Sequence, residues 1–202
     1  MAVLKLFGSS VSGNCLKPRW VAERLGVPFD WMELDIMRGD TRQPEFLLLN
    51  PWGQAPLAVL ADGRMLAQSN AIMLHLAEGS DLVPNDAFDR AKMYEWLFWE
   101  QYSHEPTIAV RRWRRAFLKH KDDEIDPTIL TKGQAALSRM DNALEGRLHF
   151  AGDRLSLADI ALVAYTRWAP QGGFDLEAVP RVVAWIDRVE KELGLPSARA
   201  GA

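Results

Sequence analysis

Three short segments hold residues whose types and spacing could do chemistry. In Asn50-Pro51-Trp52-Gly53-Gln54-Ala55-Pro56 a proline stands directly before an apolar run. X-Pro is the one peptide bond for which cis costs only about 0.5–1 kcal/mol. A cis bond would turn the Ala55 backbone outward, where its N–H and C=O could pair with an extended peptide as an added strand. A trans proline would merely begin a strand. In Gln68-Ser69-Asn70-Ala71-Ile72, Ser69 reads as a helix N-cap, with free N–H groups behind it that could take a carboxylate; capping alone also accounts for the serine. In Ser9-Ser10-Val11-Ser12-Gly13-Asn14-Cys15 a hydroxyl-rich loop leads into a helix, where the dipole and O–H donors would favour a thiolate. Lowering a thiol pKa by roughly two units takes about 2.7 kcal/mol. One charge-assisted hydrogen bond, at about 1.5–3 kcal/mol, could supply most of it. The competing reading of this loop is a plain turn.

The elements that must position these segments follow from periodicity. Val3 to Phe7 is an apolar run closed by Gly8-Ser9-Ser10, a short buried strand. Asn14 to Leu25 has helical spacing and stops at Gly26 and Pro28. Phe29 to Leu34 alternates as a second strand, and Pro44 to Leu49 forms a short helix. Leu57 to Leu60 and Arg64 to Ala67 flank Ala61-Asp62-Gly63, a hairpin turn signal. A helix opening at Ser69 and ending at Gly79 completes a βαβαββα unit.

Beyond Ser80 to Asp86, which holds Pro84 and Asn85, the period is helical throughout. Helices are expected at about 87–117, kinked by Pro106 after His104-Glu105, and at 127–144, 156–168 and 178–193. The expected organisation is a sheet domain over 1–79, a linker over 80–86 and an all-helical domain over 87–202, sharing an apolar interface.

Composition narrows the function. The chain of 202 residues, 48% hydrophobic and 25% charged with net charge −3, has the make-up of a soluble globular protein. It lacks the basic runs that hold nucleic acid or an anionic membrane. Its single cysteine, Cys15, excludes an internal disulfide and a multi-cysteine zinc site and points to a reducing, cytoplasmic location. The run at the start, MAVLKLFGSS, is too short for a signal peptide, and no stretch reads as a membrane span. His75, His104, His120 and His149 are scattered without ligand spacing, so no metal is expected.

Taken together and in this order, the three segments on a βαβαββα frame resemble the cytosolic glutathione transferase family, bacterial, serine-type and theta/nu-like. That resemblance implies a thioredoxin-like domain followed by an all-helical one. It extends to Gly152-Asp153-Arg154-Leu155-Ser156-Leu157-Ala158-Asp159-Ile160, which looks like that family's helix-capping motif. Its physics reads independently: Ser156 is an N-cap with Asp159 at N3, and Leu155 can staple onto Ile160.

The resemblance implies glutathione as co-substrate, with Gln54, Ala55 and Pro56 along its cysteinyl backbone. Gln68 and Ser69 would hold the γ-glutamyl carboxylate, and Arg42 the glycyl end. Ser12 would be the catalytic hydroxyl, because SGNC occupies the thioredoxin-like CxxC position with its first cysteine replaced. Asn14 matches an asparagine near the thiol in related bacterial members. Phe7 stands where tyrosine-type classes keep their tyrosine, and Thr41 precedes Arg42 where theta-like members often have histidine.

For a hydrophobic electrophile the resemblance puts forward Val11, Tyr102 and Trp113. It also implies a homodimer formed through the helical half and the strand-four edge. Arg111-Arg112-Trp113-Arg114-Arg115 is read as a solvated helix face nearly balanced by Asp122-Asp123-Glu124. Two alternatives remain at this point: glutathione-dependent disulfide or peroxide reduction on the same site, including a mixed disulfide at Cys15, and a non-catalytic protein-binding module.

Overall fold

The structure, a computed structural model, describes residues 3–198. Its contacts divide the chain into two compact units, Met1–Ser80 and Asp81–Ala202. In the first, β1 (Leu4–Gly8) leads through α1 (Gly13–Leu25) to β2 (Phe29–Glu33). A 3-10 turn (Asp40–Arg42) precedes α2 (Pro44–Leu49), followed by β3 (Leu57–Val59), β4 (Met65–Ala67) and α3 (Ser69–Leu76).

The helical crossover makes β1 and β2 parallel, and the hairpin makes β3 and β4 antiparallel. The sheet order is β2-β1-β3-β4. Alternation along the strands splits the apolar residues between two faces. Leu4, Leu6 and Ala58 pack with Ala22 of α1 and Ile72 of α3, while Leu57 packs with Leu34 and Phe46 of α2. α1 ends where Gly26 takes the left-handed conformation, φ 65°, and bonds back to the last turn.

The second unit is helical: α4 (Ala87–Trp99), α5 (Glu105–Arg112), α6 (Pro127–Ala143), α7 (Leu157–Thr166) and α8 (Pro180–Glu192). All ten residues of α7 are buried, which explains a sequence apolar all round. Ser156 and Asp159 form the expected capping box, and Leu155 and Ile160 are both buried beside it.

Two expectations change here. Pro106 does not act alone: Glu100–His104 is a π-helical turn inserted just before it. The Glu105 N–H reaches the Glu100 carbonyl. The wider turn accommodates a residue that has no N–H to give. A second π turn, Trp113–Phe117, closes the long helix. Nor is the basic cluster a solvated face, because Arg111 and Arg112 are buried. Arg111 donates to the Gly172 carbonyl and to Asp122. Arg112 bonds Gln171 and stacks over Trp168 at 4.2 Å. Burial lowers its guanidinium pKa to about 10. A planar, weakly hydrated guanidinium suits such a site better than solvent exposure implies.

Candidate functional site

Strand register brings the three chemical segments together. β1 pairs parallel with β2 and antiparallel with β3, and β3 antiparallel with β4. The carboxyl ends of β1, β2 and β4 and the amino end of β3 therefore share one end of the sheet. Ser9 to Ser12 follow β1, Glu33 closes β2, Ala55-Pro56 precedes β3, and Gln68-Ser69 follows β4.

In the β1–α1 loop, Ser12 is the N-cap of α1, and its carbonyl accepts from the Cys15 and Leu16 amides at 3.1 and 3.0 Å. Its side chain makes no capping bond to the helix backbone. It bonds instead to the Cys15 thiol. The other two loop hydroxyls are placed differently. Ser9 is buried. Ser10 gives both its donors to Glu33, N–H to Oε1 at 2.8 Å and O–H to Oε2 at 2.6 Å.

Asn14 accepts from the buried Lys17 ammonium through Oδ1 at 2.8 Å. An ammonium only donates, so this contact orients the amide. Cys15 is buried, and desolvation pushes its thiol up despite opposing bonds from Ser12 and the Ser9 amide. It is therefore a poor candidate for a mixed disulfide. Desolvation also works to raise the Glu33 carboxyl. The Ser10 hydroxyl and amide, with the Trp31 indole and Arg19, outweigh it and hold Glu33 below the usual carboxylate range.

The peptide bond Ala55-Pro56 is cis. The loop before it is closed by the Gly53 amide on the Asn50 carbonyl, 2.9 Å, and the Asn50 side-chain amide on the Gln54 carbonyl, 2.7 Å. Loop and turn bonds among the described residues engage neither the N–H nor the C=O of Ala55. Arg42 reaches the Trp52 carbonyl at 3.3 Å and lies against Gly53, where a Cβ would collide with its guanidinium. Arg42 and Gln54 are both exposed.

At the start of α3 the sequence reading needs correcting. Ser69 is the first helical residue, buried, and the N-cap is Gln68, with φ 74° and no capping side-chain bond. A non-glycine residue at positive φ costs about 1–3 kcal/mol and concentrates at functional positions. This gives Gln68 a reason that capping did not.

Of the residues put forward for a second substrate, Tyr102 and Trp113, both in the second unit, do not line the same cavity. Val11 is exposed at the loop tip. Tyr102 lies in the first π turn and lines a cavity of about 570 Å³ with Trp99, Pro106, Ile129 and Arg139. Trp113 lies outside that lining and stacks on Phe117 at 5.0 Å.

Sequence reasoning missed Glu33 and Lys17. The i, i+3 spacing of Asn14 and Lys17 was a usable signal. For Glu33 there was none without the strand register. Among the described residues no group of three His, Cys, Asp or Glu side chains could hold a metal, and no helix is long and apolar enough to cross a membrane.

Comparison with known proteins covers both units. The family description "Glutathione S-transferase, N-terminal domain" matches residues 11–78, and "Glutathione S-transferase, C-terminal domain" matches residues 97–192. Glutathione S-transferase 3 of Zea mays is 31% identical over 201 residues, 94% of this chain and 90% of the relative. A glutathione S-transferase crystal structure from Pseudomonas fluorescens is 40% identical with a TM-score of 0.89, over 93% of this chain and 94% of that one. One from Xanthobacter autotrophicus is also 40% identical, with a TM-score of 0.87 over 96% and 94%.

Proposed function

We infer what this chain does from the family to which it belongs, the glutathione S-transferases: it joins the sulfur of glutathione to an electrophile. In the mechanism we derive, the tripeptide lies extended, with its cysteinyl backbone paired to Ala55 N–H and C=O as an added strand. Its γ-glutamyl carboxylate sits at the amino end of α3, against Gln68 and Ser69, where first-turn amides and the helix dipole favour an anion. Arg42 meets the glycyl carboxylate and Gln54 the backbone alongside.

Ser12 turns its hydroxyl hydrogen from the Cys15 thiol to the glutathione sulfur, with Asn14 beside it. The thiol proton leaves to water, the thiolate forms a C–S bond with an apolar electrophile, and the leaving group departs with its electron pair. Catalysis is thiolate stabilisation plus proximity. The observation that carries this reading is the convergence of the loop, the cis-proline and the α3 start at one sheet end. The burial of Cys15 favours conjugation over a reductase step through that cysteine.

Steady-state assays with glutathione and several electrophile classes test the assignment. Ser12→Ala should lower kcat/KM by about 10- to 150-fold near neutral pH, the worth of one charge-assisted hydrogen bond. An unchanged rate would remove Ser12 from the mechanism. We also propose a cytoplasmic homodimer. Supporting it, β4 is one of the two outer strands of the sheet, and Trp52, Met65, Phe98 and Tyr102 are exposed. Light scattering should give about twice 22.8 kDa; the mass of one chain would overturn it.

A further inference from the structure

Glu33 is an acid beside a site that must hold a thiolate, and its charge opposes that thiolate. Electrostatics alone gives it no reason to be there. Its geometry does. The parallel register sets Glu33 beside Gly8, the last residue of β1, where the loop departs. From there one carboxylate takes both donors of Ser10. Its Oε2 also accepts from Trp31 Nε1 at 2.6 Å. Trp31 is two residues back on the same face of β2, and Arg19 of α1 lies 5.1 Å over its ring.

The carboxylate is thus held by its own strand and, through Trp31, by the helix the loop enters. The loop is gripped at its second residue, and Ser12 is tied back by its N–H on the Ser9 carbonyl at 3.0 Å. We propose that Glu33 is a positioning residue that decides which hydroxyl serves the glutathione sulfur, withholding Ser10 and fixing the loop so that Ser12 is presented. This deepens the proposed function and rests on its assignment of Ser12.

The sign of the effect separates positioning from charge. Removing a mere negative charge would lower the pKa of bound glutathione, whereas releasing the loop would raise it. The test is ultraviolet thiolate absorbance of bound glutathione against pH, with kcat/KM profiles, for wild type, Glu33→Gln and Glu33→Ala. Glu33→Ala should raise the bound thiol pKa by about one unit and lower kcat/KM on the acid limb roughly tenfold. Glu33→Gln keeps one acceptor oxygen and should fall between. Affinity for S-hexylglutathione, which has no thiol, should be retained in all three.

A depressed wild-type value that stays the same or falls further in Glu33→Ala overturns this proposal alone. A wild-type protein that binds S-hexylglutathione, yet leaves bound glutathione titrating as in free solution, overturns the Ser12 assignment and this proposal with it.

Discussion

Replacing Asp159 should cost more stability than any change at the site, and the structure sets the size. Its carboxylate is fully buried at the start of α7. Oδ1 accepts from the Phe150 amide at 3.1 Å and the Trp185 indole at 2.9 Å; Oδ2 accepts from the Ser156 amide at 3.0 Å and hydroxyl at 2.8 Å. The hydroxyl can rotate to another acceptor, but the other three donors are fixed. Each buried donor left unpaired costs about 1–3 kcal/mol, so Asp159→Ala should lose about 4 kcal/mol or more after relaxation. Against a typical total of about 5–15 kcal/mol, that threatens folding outright.

Asp159→Asn is the informative variant. Its oxygen can keep Phe150 and Trp185, and its NH2 can donate to a reversed Ser156 hydroxyl, leaving only the Ser156 amide unpaired. A loss of about 1–3 kcal/mol follows. Urea denaturation followed by tryptophan fluorescence and circular dichroism measures both variants, and kcat/KM per folded molecule should match wild type. Asparagine as costly as alanine, alanine below 1 kcal/mol, or a folded variant with reduced kcat/KM would each refute the reasoning.

Three further outcomes are expected. A Cβ on Gly8 would stand 2.6 Å from the Trp31 ring and 2.8 Å from Cys15 Cβ. Gly8→Ala should therefore cost about 1–3 kcal/mol and lower kcat/KM by shifting the start of α1, measured by denaturation and steady-state kinetics. Gln68→Gly relieves the positive φ. Strain relief less the roughly 0.5–1 kcal/mol entropic cost of glycine should raise Tm by about 2–4 °C while raising KM for glutathione several-fold, and a Tm lowered by the glycine cost would show that the backbone there is unstrained. Finally, Glu33 has a lowered folded-state pKa, so its contribution is present above the unfolded value of about 4.3 and is lost as pH falls through the folded one. The stability gap between wild type and Glu33→Gln should hold at neutral pH and vanish on acidification.

Much of this protein was readable from local chemistry. Ser156 with Asp159, the Asp62-Gly63 turn, the stop at Gly26 and the apolar period of α7 each act within a few residues, so spacing alone reveals them. The cis bond at Pro56 was one of two open readings, and the family resemblance favoured it. At Gln68-Ser69 the sequence placed the helix start within one residue but assigned the cap to the wrong side chain. A serine is the common cap, whereas a glutamine at positive φ is uncommon.

Other features depended on distances that spacing does not contain. Glu33 and Ser10 lie 23 residues apart, and Arg111 and Gly172 lie 61 apart. Such bonds exist only once strands have chosen a register and helices have packed. The sequence by itself determined the elements, their ends and the inventory of groups able to hold a glutathione thiolate. Only the tertiary structure decided which loop hydroxyl the Glu33 carboxylate takes, which arginines lie inside, and which residues share one end of the sheet. Hydrogen bonds and burial are set by proximity in space, and local sequence constrains that proximity only over a turn or two of chain.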